Sequence, residues 1–504
     1  MSKRLSPPAA HVSRLHEDAS AGEDSSPETA SVRGSGMWAA LSFWLVLAVG
    51  LVATGFGLVM LSSAGPSRSP KAPGARQQQQ TPAPAADKGK SATAPVASAP
   101  PATTATAAAT AAVAASVPAA SPAAAGAAVA SPPGGAQLLR VFWQQLRFVP
   151  VALVFGLFAF LVDLEWLRRR VWVFLGVVCV GLVLVRVPGI GHDVKGSWRW
   201  INLGIFNIQV SDLAKVALVL ALSHYLDLSR RYLRPVYFHW FEGFPRLFRW
   251  RRRFPWMEPA TTAGWDCLLG FIAPCLIIGV VCALIAIEPD LGTMVLCGVV
   301  GFALLLMSGG RLYYIIPAVL LSLATFSTVV YHWPNRLNRV LSFIDPEGNK
   351  QGLSYQLWQG MLAFACGGVE GEGLGRGMQQ RHFLPEAHTD FIFSIVGEEL
   401  GLFATAVVAS AFLFLFVVVV SNLRRAHTLF QFNVCLGAML FIVLQALINM
   451  CVVIGLLPTK GMSLPFISYG GSNLVVMYVM LGLVLNCFRL WDRPPEVNSR
   501  VLPP

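Results

Sequence analysis

Residues 264–308, GWDCLLGFIAPCLIIGVVCALIAIEPDLGTMVLCGVVGFALLLMS, decide the fold, because they hold two long apolar runs separated only by Glu288, Pro289 and Asp290. A helix of roughly 20 apolar residues is long enough to cross a lipid bilayer. Of the 504 residues, 55% are hydrophobic and only 13% are charged, whereas a soluble globular chain is about 25% charged. This composition excludes a soluble enzyme and predicts an all-α polytopic membrane protein.

Apolar runs of this kind recur along the chain and predict about ten transmembrane helices. They cover residues 37–61, 148–164, 171–187, 208–226, 264–287, 291–308, 312–332, 391–420, 430–457 and 468–488. The 391–420 run is longer than one crossing needs, so we expect it to tilt or to begin outside the membrane. The cysteines show no CxxC or CxxH spacing, so neither a metal site nor a disulfide framework is predicted.

Composition divides the chain into five predicted segments. These are a disordered cytoplasmic tail (1–36), a first transmembrane helix (37–62), an Ala/Pro-rich extracytoplasmic linker (63–137), a transmembrane core (138–490) and a cytoplasmic C-terminal tail (491–504). Frequent prolines prevent the linker from forming a long helix. The linker fits a tether for a partner, a contact with the cell wall, or an insertion without a role.

The distribution of Lys and Arg predicts the side that each loop faces. If both termini are cytoplasmic, the inner segments carry about twice the Lys/Arg density of the outer ones, as the positive-inside rule requires. Loop 227–263 is then basic and cytoplasmic, and loop 333–390 is the large extracytoplasmic one. We therefore attribute the net charge of +12 to loops beside anionic membrane lipid and not to nucleic-acid binding. The basic loop fits an interfacial helix or a docking surface for a cytoplasmic partner.

One aspartate stands out where the large outer loop enters the membrane. The segment LPEAHTDFIF at 384–393 places Asp390 just as the chain turns apolar. An ionisable group at this depth is costly unless it is paired or used in function. Burial raises a carboxyl pKa, which suits a general base. Asp390 is therefore a catalytic candidate, with a capping or structural aspartate as the alternative.

Further ionisable groups enter the same predicted outer surface. Asp212 and Lys215 share one helical face at spacing i, i+3, either as a buried pair or as a source of positive charge for an anionic ligand. Arg147 opens the second span and is a third member of this group. Asp290 lies in the tight reversal EPDLGT, as a site residue or a helix cap.

The segment LPTKGMSLPFISYGGSN at 457–473 contains Pro and paired Gly, which would break a span into a re-entrant turn. Such a turn is tolerated only where it lines a cavity enclosed by protein. Cations and carboxylates from distant stretches thus converge on one end of a helical bundle. This arrangement suits an amphipathic, anionic substrate that keeps its tail in lipid and its head outside.

Long composite motifs resemble the SEDS family (shape, elongation, division and sporulation), whose members include FtsW and RodA. The resemblance covers nearly all of 37–62 and 138–490. Its motifs are GSWRW with IQVSDLAK, EPDLGT, RLNRVLSFIDPEG with YQ at 355–356, GGVEGEGLGRG, LPEAHTDFIFSIVGEELG and LPTKGMSLPFISYGGSN. The chain departs from the usual pattern at Val210, Asp212, Glu288 and Asn473, where Pro, Glu, Gln and Ser are usual, and in the 66–135 insertion.

The resemblance implies a peptidoglycan glycosyltransferase that polymerises lipid II into glycan strands at the outer face of the cytoplasmic membrane, beside a class B penicillin-binding protein. The essential aspartate of the family corresponds to Asp390. Its acidic-x-x-Lys pair, PDLG aspartate and arginine before the second span correspond to Asp212 with Lys215, Asp290 and Arg147.

A lipid diphosphate is already a good leaving group, so the reaction needs a base for the acceptor hydroxyl and positive charge for the diphosphate. We expect Asp390 to be the base, and Lys215, Arg199 or Arg339 to stabilise the diphosphate, with or without Mg²⁺ or Mn²⁺. Gln356 and His388 are further substrate-binding candidates in the same motifs.

PTKG at 458–461 and GEELG at 397–401 favour the division type, with divisome proteins as further partners and a location at the septum. A RodA-type elongation polymerase, a lipid II flippase and a non-catalytic scaffold are the alternatives. A transport site tends toward the membrane midplane, so the outer position of Asp390 favours chemistry.

Overall fold

The structure is a computed structural model that describes residues 27–63, 135–188, 191–194, 197–202, 207–230, 233, 264, 266–348, 352, 354–379 and 383–492. Most of the predicted N-terminal tail, the linker, the basic loop 227–263 and the C-terminal tail lie outside the described residues.

Thirteen α-helices form the described part of the chain, in the order α1 (Pro27–Ser63), α2 (Gly135–Leu161), α3 (Leu164–Arg169), α4 (Val171–Leu184), α5 (Val210–Leu228), α6 (Ala273–Ile287), α7 (Leu291–Met307), α8 (Leu312–His332), α9 (Pro334–Ile344), α10 (Tyr355–Gly367), α11 (Ile392–Asn422), α12 (Leu429–Val453) and α13 (Gly471–Trp491). A π-helical turn, Leu268–Ile272, leads into α6, and a 3-10 turn, Leu423–Arg425, follows α11.

The predicted helical fold is confirmed, and every apolar run of the sequence forms a helix. Within the described residues, 7 helices are long and apolar enough to cross a membrane, and α4 and α7 are shorter apolar helices. The remaining run, 208–226, forms α5, which is in neither group and carries Asp212, Lys215 and Asp227. α1 begins at Pro27, before the predicted boundary at 37. Helical hydrogen bonding propagates past the apolar segment, so hydropathy does not mark where the helix begins.

A small antiparallel sheet lies between α4 and α5, where the sequence predicts no strand. Its strands are β1 (Gly191–Val194), β2 (Ser197–Asn202) and β3 (Asn207–Gln209), in the order β1-β2-β3. Trp200 pairs with Gln209, and β3 leads directly into α5 at Val210. The sheet therefore fixes the point at which α5 enters the bundle.

The predicted outer segments meet at one end of the bundle, called here the outer end. Gln209, the last residue of β3, bonds Asp290 before α7, and Gly292 lies against Met462 of the 454–470 segment. At the opposite end, Arg168 pairs with Asp227 at 2.6 Å. This arrangement agrees with the predicted alternation of loops, while the membrane side of each end stays a prediction.

Helices α12 and α13 form the centre of the bundle, with 67% and 78% of their apolar windows buried, whereas only 6% of α8 is buried. Small residues allow close approach between helices that lipid surrounds. A Cβ on Gly482 of α13 would overlap the carbonyl of Gly156 on α2. Asn486 of α13 also donates to the carbonyl oxygens of Ala159 and Val162, at 2.9 and 2.8 Å.

Candidate active site

Asp390 lies on the last turn before α11 and is partly buried at the outer end. Its backbone carbonyl accepts a hydrogen bond of 2.8 Å from Asn449 Nδ2 of α12. The same amide donates to the carbonyl of Met462 at 2.7 Å. One central side chain therefore holds both the segment that carries Asp390 and the predicted re-entrant segment.

The re-entrant segment backs the Asp390 carboxylate directly. A Cβ added to Gly461 would lie 3.1 Å from Asp390 Oδ2, so the backbone of the PTKG motif is in close contact with this carboxylate. The segment between α12 and α13 contains no helix, and Leu464, Phe466 and Ile467 on it are buried. Protein therefore encloses residues 464–468 of this irregular backbone, whereas Leu456, Leu457 and Gly461 on its first half are exposed.

Lys460 precedes Gly461 and was not among the sequence-predicted site residues. Its side chain is half-buried, and its ammonium lies 5.7 Å from the centroid of the Phe326 ring on α8. Burial lowers the pKa of Lys460. The sequence signal that points to this lysine is its place in the PTKG motif at 458–461, at the start of the predicted re-entrant turn.

Two other predicted residues lie beside this centre. The carbonyl of His388 accepts from the backbone N–H of Tyr469 at 2.9 Å, and their rings are 6.3 Å apart. Gln356 Nε2 of α10 donates to the carbonyl of Pro385 at 3.1 Å. The structure therefore brings His388, Gln356 and Asp390 together with the re-entrant segment.

Asp212 and Lys215 form a second cluster, buried between α5, α12 and α13. Lys215 is 2% exposed, and its Nζ donates to Asp212 Oδ1 at 2.8 Å and to Gln445 Oε1 at 2.9 Å. Ser472 Oγ donates to Asp212 Oδ2 at 3.2 Å. Of the two readings of this pair, the geometry matches the inward-facing buried one.

Asp290 acts as the N-cap of α7. Its Oδ1 accepts from the backbone N–H of Thr293 at 3.2 Å, and its Oδ2 accepts from Gln209 Nε2 and Ser211 Oγ at 3.0 and 2.9 Å. Its carboxylate is 4% exposed and joins the α6–α7 turn to α5. The capping interpretation of Asp290 is therefore the one that these contacts support.

Arg199 of β2 holds the same turn from outside the bundle. Its Nε and Nη2 donate to the carbonyl oxygens of Glu288 and Pro289 at 3.0 and 2.7 Å. The Glu288 side chain is completely buried, and neither of its oxygens has a hydrogen-bond partner within the described part of the chain. Burial, and secondarily the charge of Asp290, raises the pKa of Glu288 to about 8.

Arg147 on α2 and Arg339 on α9 are exposed. The neighbour of Arg147, Phe148, packs against Gly471, so α2 reaches the outer end at this point. Among the described residues, no group of three or more His, Cys, Asp or Glu side chains could hold a metal ion.

Residues 134–490 match the sequence model of the FTSW_RODA_SPOVE family, which is described as a cell cycle protein.

This chain belongs to the FtsW/RodA/SpoVE family. Among its relatives, a protein of Trichlorobacter lovleyi named probable peptidoglycan glycosyltransferase FtsW is 33% identical over 352 residues, which are 70% of this chain and 84% of the relative. A protein of Marinobacter nauticus with the same name is 37% identical over 344 residues, 68% of this chain and 78% of the relative.

Solved structures share the FtsW/RodA/SpoVE fold with this chain. A chain from a peptidoglycan synthase complex that coordinates polymerization and crosslinking aligns with a TM-score of 0.54 and 23% identity, over 70% of this chain and 90% of that one. The rod shape determining protein RodA of Thermus thermophilus aligns with a TM-score of 0.52 and 18% identity, over 88% and 96%. This FtsW/RodA/SpoVE protein is therefore a multi-pass membrane protein, and its family match begins after α1, in the last residues of the predicted linker.

Proposed function

We propose that this protein is a peptidoglycan glycosyltransferase that polymerises lipid II at the outer face of the cytoplasmic membrane during cell division. The names of its relatives support both the activity and the division type. Its proposed partners are a class B penicillin-binding protein and other division proteins at the septum. The synthase complex with the same fold, which coordinates polymerization and crosslinking, supports the first of these partners.

The observation that carries the proposal is the setting of Asp390. Its carboxylate is partly exposed, while Asn449 fixes its backbone and Gly461 backs its Oδ2. In the proposed reaction, the 4-hydroxyl oxygen of the acceptor sugar bonds to the anomeric carbon of the donor. The bond from that carbon to the diphosphate breaks, and Asp390 takes the hydroxyl proton. Direct displacement inverts the anomeric centre.

The departing diphosphate needs a nearby cation, and the geometry favours a different lysine from the one expected. Lys215 is buried and bonded to Asp212, and Arg199 is engaged by the α6–α7 turn. Lys460 is next to the Gly461 that touches Asp390, so we assign it this role, with exposed Arg339 as a further candidate. Mg²⁺ or Mn²⁺ stays part of the proposal as a companion of the diphosphate, whose oxygens are the hard ligands that these ions take.

Asp390→Asn tests the proposal. The amide keeps the shape and leaves the backbone bond to Asn449 intact, so we expect normal folding but a loss of polymerisation of about 10²–10⁴-fold, typical of a lost general base. The assay is lipid II polymerisation by the purified chain with a class B penicillin-binding protein. Asp345→Asn, at an exposed aspartate of the same outer loop, is the matched control.

Glycan strands from Asp390→Asn at the wild-type rate would show that the base lies elsewhere. If wild type and variant both make no strands although the partner complex has formed, the flippase and scaffold alternatives replace the polymerase.

A further inference from the structure

Helix α11 is interrupted at Gly401, where the backbone adopts φ 73° and ψ −171°. In a continuous helix the N–H of Leu402 would bond the carbonyl of Glu398. Here it bonds the carbonyl of Gly368 at 3.0 Å instead. The long predicted run is thus two pieces, and Ile392–Leu400 is a short, buried helix at the outer end of a longer span.

The glycine-rich segment 367–377 replaces the hydrogen bonds that the break removes. The carbonyl of Glu398 accepts from the N–H of Glu372 at 2.9 Å, and that of Glu399 accepts from Gly373 at 2.8 Å. Gly371 has φ +81°, and a Cβ on it would overlap the carbonyl of Glu399. Position 371 therefore requires glycine, because its backbone is left-handed and a side chain would collide with Glu399. The glycine-rich segment thus supplies hydrogen-bond partners at the break in α11.

The side chain of Glu398 holds the two residues that directly follow this segment, Met378 and Gln379. It is 1% exposed, and its Oε1 accepts from the backbone N–H groups of Met378 and Gln379 at 2.7 and 3.0 Å. The carbonyl of Gln379 in turn accepts from the N–H of Leu384 at 2.9 Å, the first residue of the LPEAHTD motif. Glu398 is therefore two hydrogen bonds from the start of the segment that ends in Asp390.

We propose that Glu398 is a positioning residue, whose carboxylate fixes the backbone at Met378–Gln379 and thereby the Asp390-bearing segment. The catalytic consequence rests on the proposed function, whereas the anchoring does not. The rest of the segment is held by Gln356 at Pro385 and Asn449 at Asp390. Hydrogen bonds to a buried carboxylate are stronger than neutral ones, and their removal leaves two donors without a partner.

The test compares Glu398→Ala and Glu398→Gln with Glu370→Ala and Glu370→Gln, whose glutamate is exposed on the same glycine-rich segment. Hydrogen–deuterium exchange of the full chain measures how firmly Glu398 holds this backbone, and it does not depend on activity. We expect Glu398→Ala to raise exchange at 378–379 and 384–390 by about tenfold, with smaller changes elsewhere. Glu398→Gln should raise it less, because an amide oxygen still accepts hydrogen bonds.

The rate of lipid II polymerisation with the partner protein measures the effect of Glu398 on catalysis. A misplacement of about 1 Å can cost about 100-fold in rate, so we expect kcat to fall at least tenfold in Glu398→Ala, with partial rescue in Glu398→Gln and little change in KM. Unchanged exchange at 384–390, or an unchanged kcat, would overturn the proposal. If Glu398→Ala does not fold, the same two readings of Glu398→Gln decide it. A wild-type chain without polymerase activity refutes the proposed function, while the exchange data still decide the anchor.

Discussion

Two lysines at the outer end of the bundle differ in their burial and in the partners of their ammonium groups. Lys215 is 2% exposed, and its ammonium bonds both Asp212 and Gln445. Lys460 is half-buried on the re-entrant segment, and its ammonium lies over the Phe326 ring, beside the Gly461 that backs Asp390. The first lysine joins α5 to α12 through buried hydrogen bonds, whereas the second is the cation proposed here for the diphosphate.

The difference shows that an acidic-x-x-Lys pattern does not by itself identify a substrate cation. A buried ion pair is costly to break because the remaining charge is left without compensation. A lysine whose pKa burial lowers, as at Lys460, gains from an incoming anion. Substituting both lysines with methionine, which keeps side-chain length and removes charge, separates the two roles.

The largest expected effect is on stability, in Lys215→Met. Removing one partner of a buried pair typically costs about 3–5 kcal/mol, so we expect a large fall in thermal midpoint in detergent or a failure to accumulate. Asp212 would keep only its bond from Ser472 among the contacts described above. The measurement is the thermal unfolding of purified variants by fluorescence.

The double variant Asp212→Asn with Lys215→Met is the control, because it removes both charges together. It should recover much of the lost stability, since no uncompensated charge remains. If Lys215→Met is as stable as the wild type but inactive, the two lysines have been assigned the wrong way round.

Lys460→Met should leave the thermal midpoint nearly unchanged and lower kcat/KM by about 100-fold, the typical loss for one preorganised charge-stabilising donor. Lys460→Arg should retain part of the activity because it keeps the positive charge. Because burial lowers the pKa of Lys460, its contribution should be lost as pH rises through that pKa, earlier than for an ordinary lysine. An alkaline fall in rate that persists unchanged in Lys460→Met would contradict the assignment.

The helices could be predicted because each depends on a local property of the chain. An apolar run favours a helix wherever it lies, and all the predicted runs are helical, 7 of them in helices long and apolar enough to cross a membrane within the described residues. The sheet was missed because its strands are short and lie between spans, where hydropathy carries no signal. The break in α11 follows from one glycine, Gly401, whose neighbours in sequence are helix formers.

The candidate site could be predicted only in part, because its contacts join residues far apart in sequence. Asp390 was found from its position at the edge of an apolar run. Gln445 bonds Lys215 across 230 positions, and nothing near either residue announces that contact. Whether a charged side chain is already hydrogen-bonded inside the fold, or can bind a substrate, thus depends on residues far away in the sequence.

The smallest effect concerns Glu288, a carboxyl that neither lysine compensates. It is fully buried without a hydrogen-bond partner in the described chain, and burial raises its pKa to about 8. The charges around it are Asp290 and Asp212, which raise this pKa, and Arg199 and Arg186, which lower it. At neutral pH the folded chain therefore holds a neutral acid at this position, similar in shape and charge to a glutamine.

Glu288→Gln should therefore leave polymerisation near pH 7 unchanged and alter only the pH dependence of stability. Between the ordinary pKa of 4.5 and about 8 the folded chain keeps a proton that the unfolded chain releases, so wild-type stability falls as pH rises through this window. The variant lacks this loss. Its thermal midpoint should equal that of the wild type near pH 5 and exceed it by a few degrees near pH 8. A constant difference across this range would mean that Glu288 is ionised in the folded chain, and that Arg199 and Arg186 compensate it.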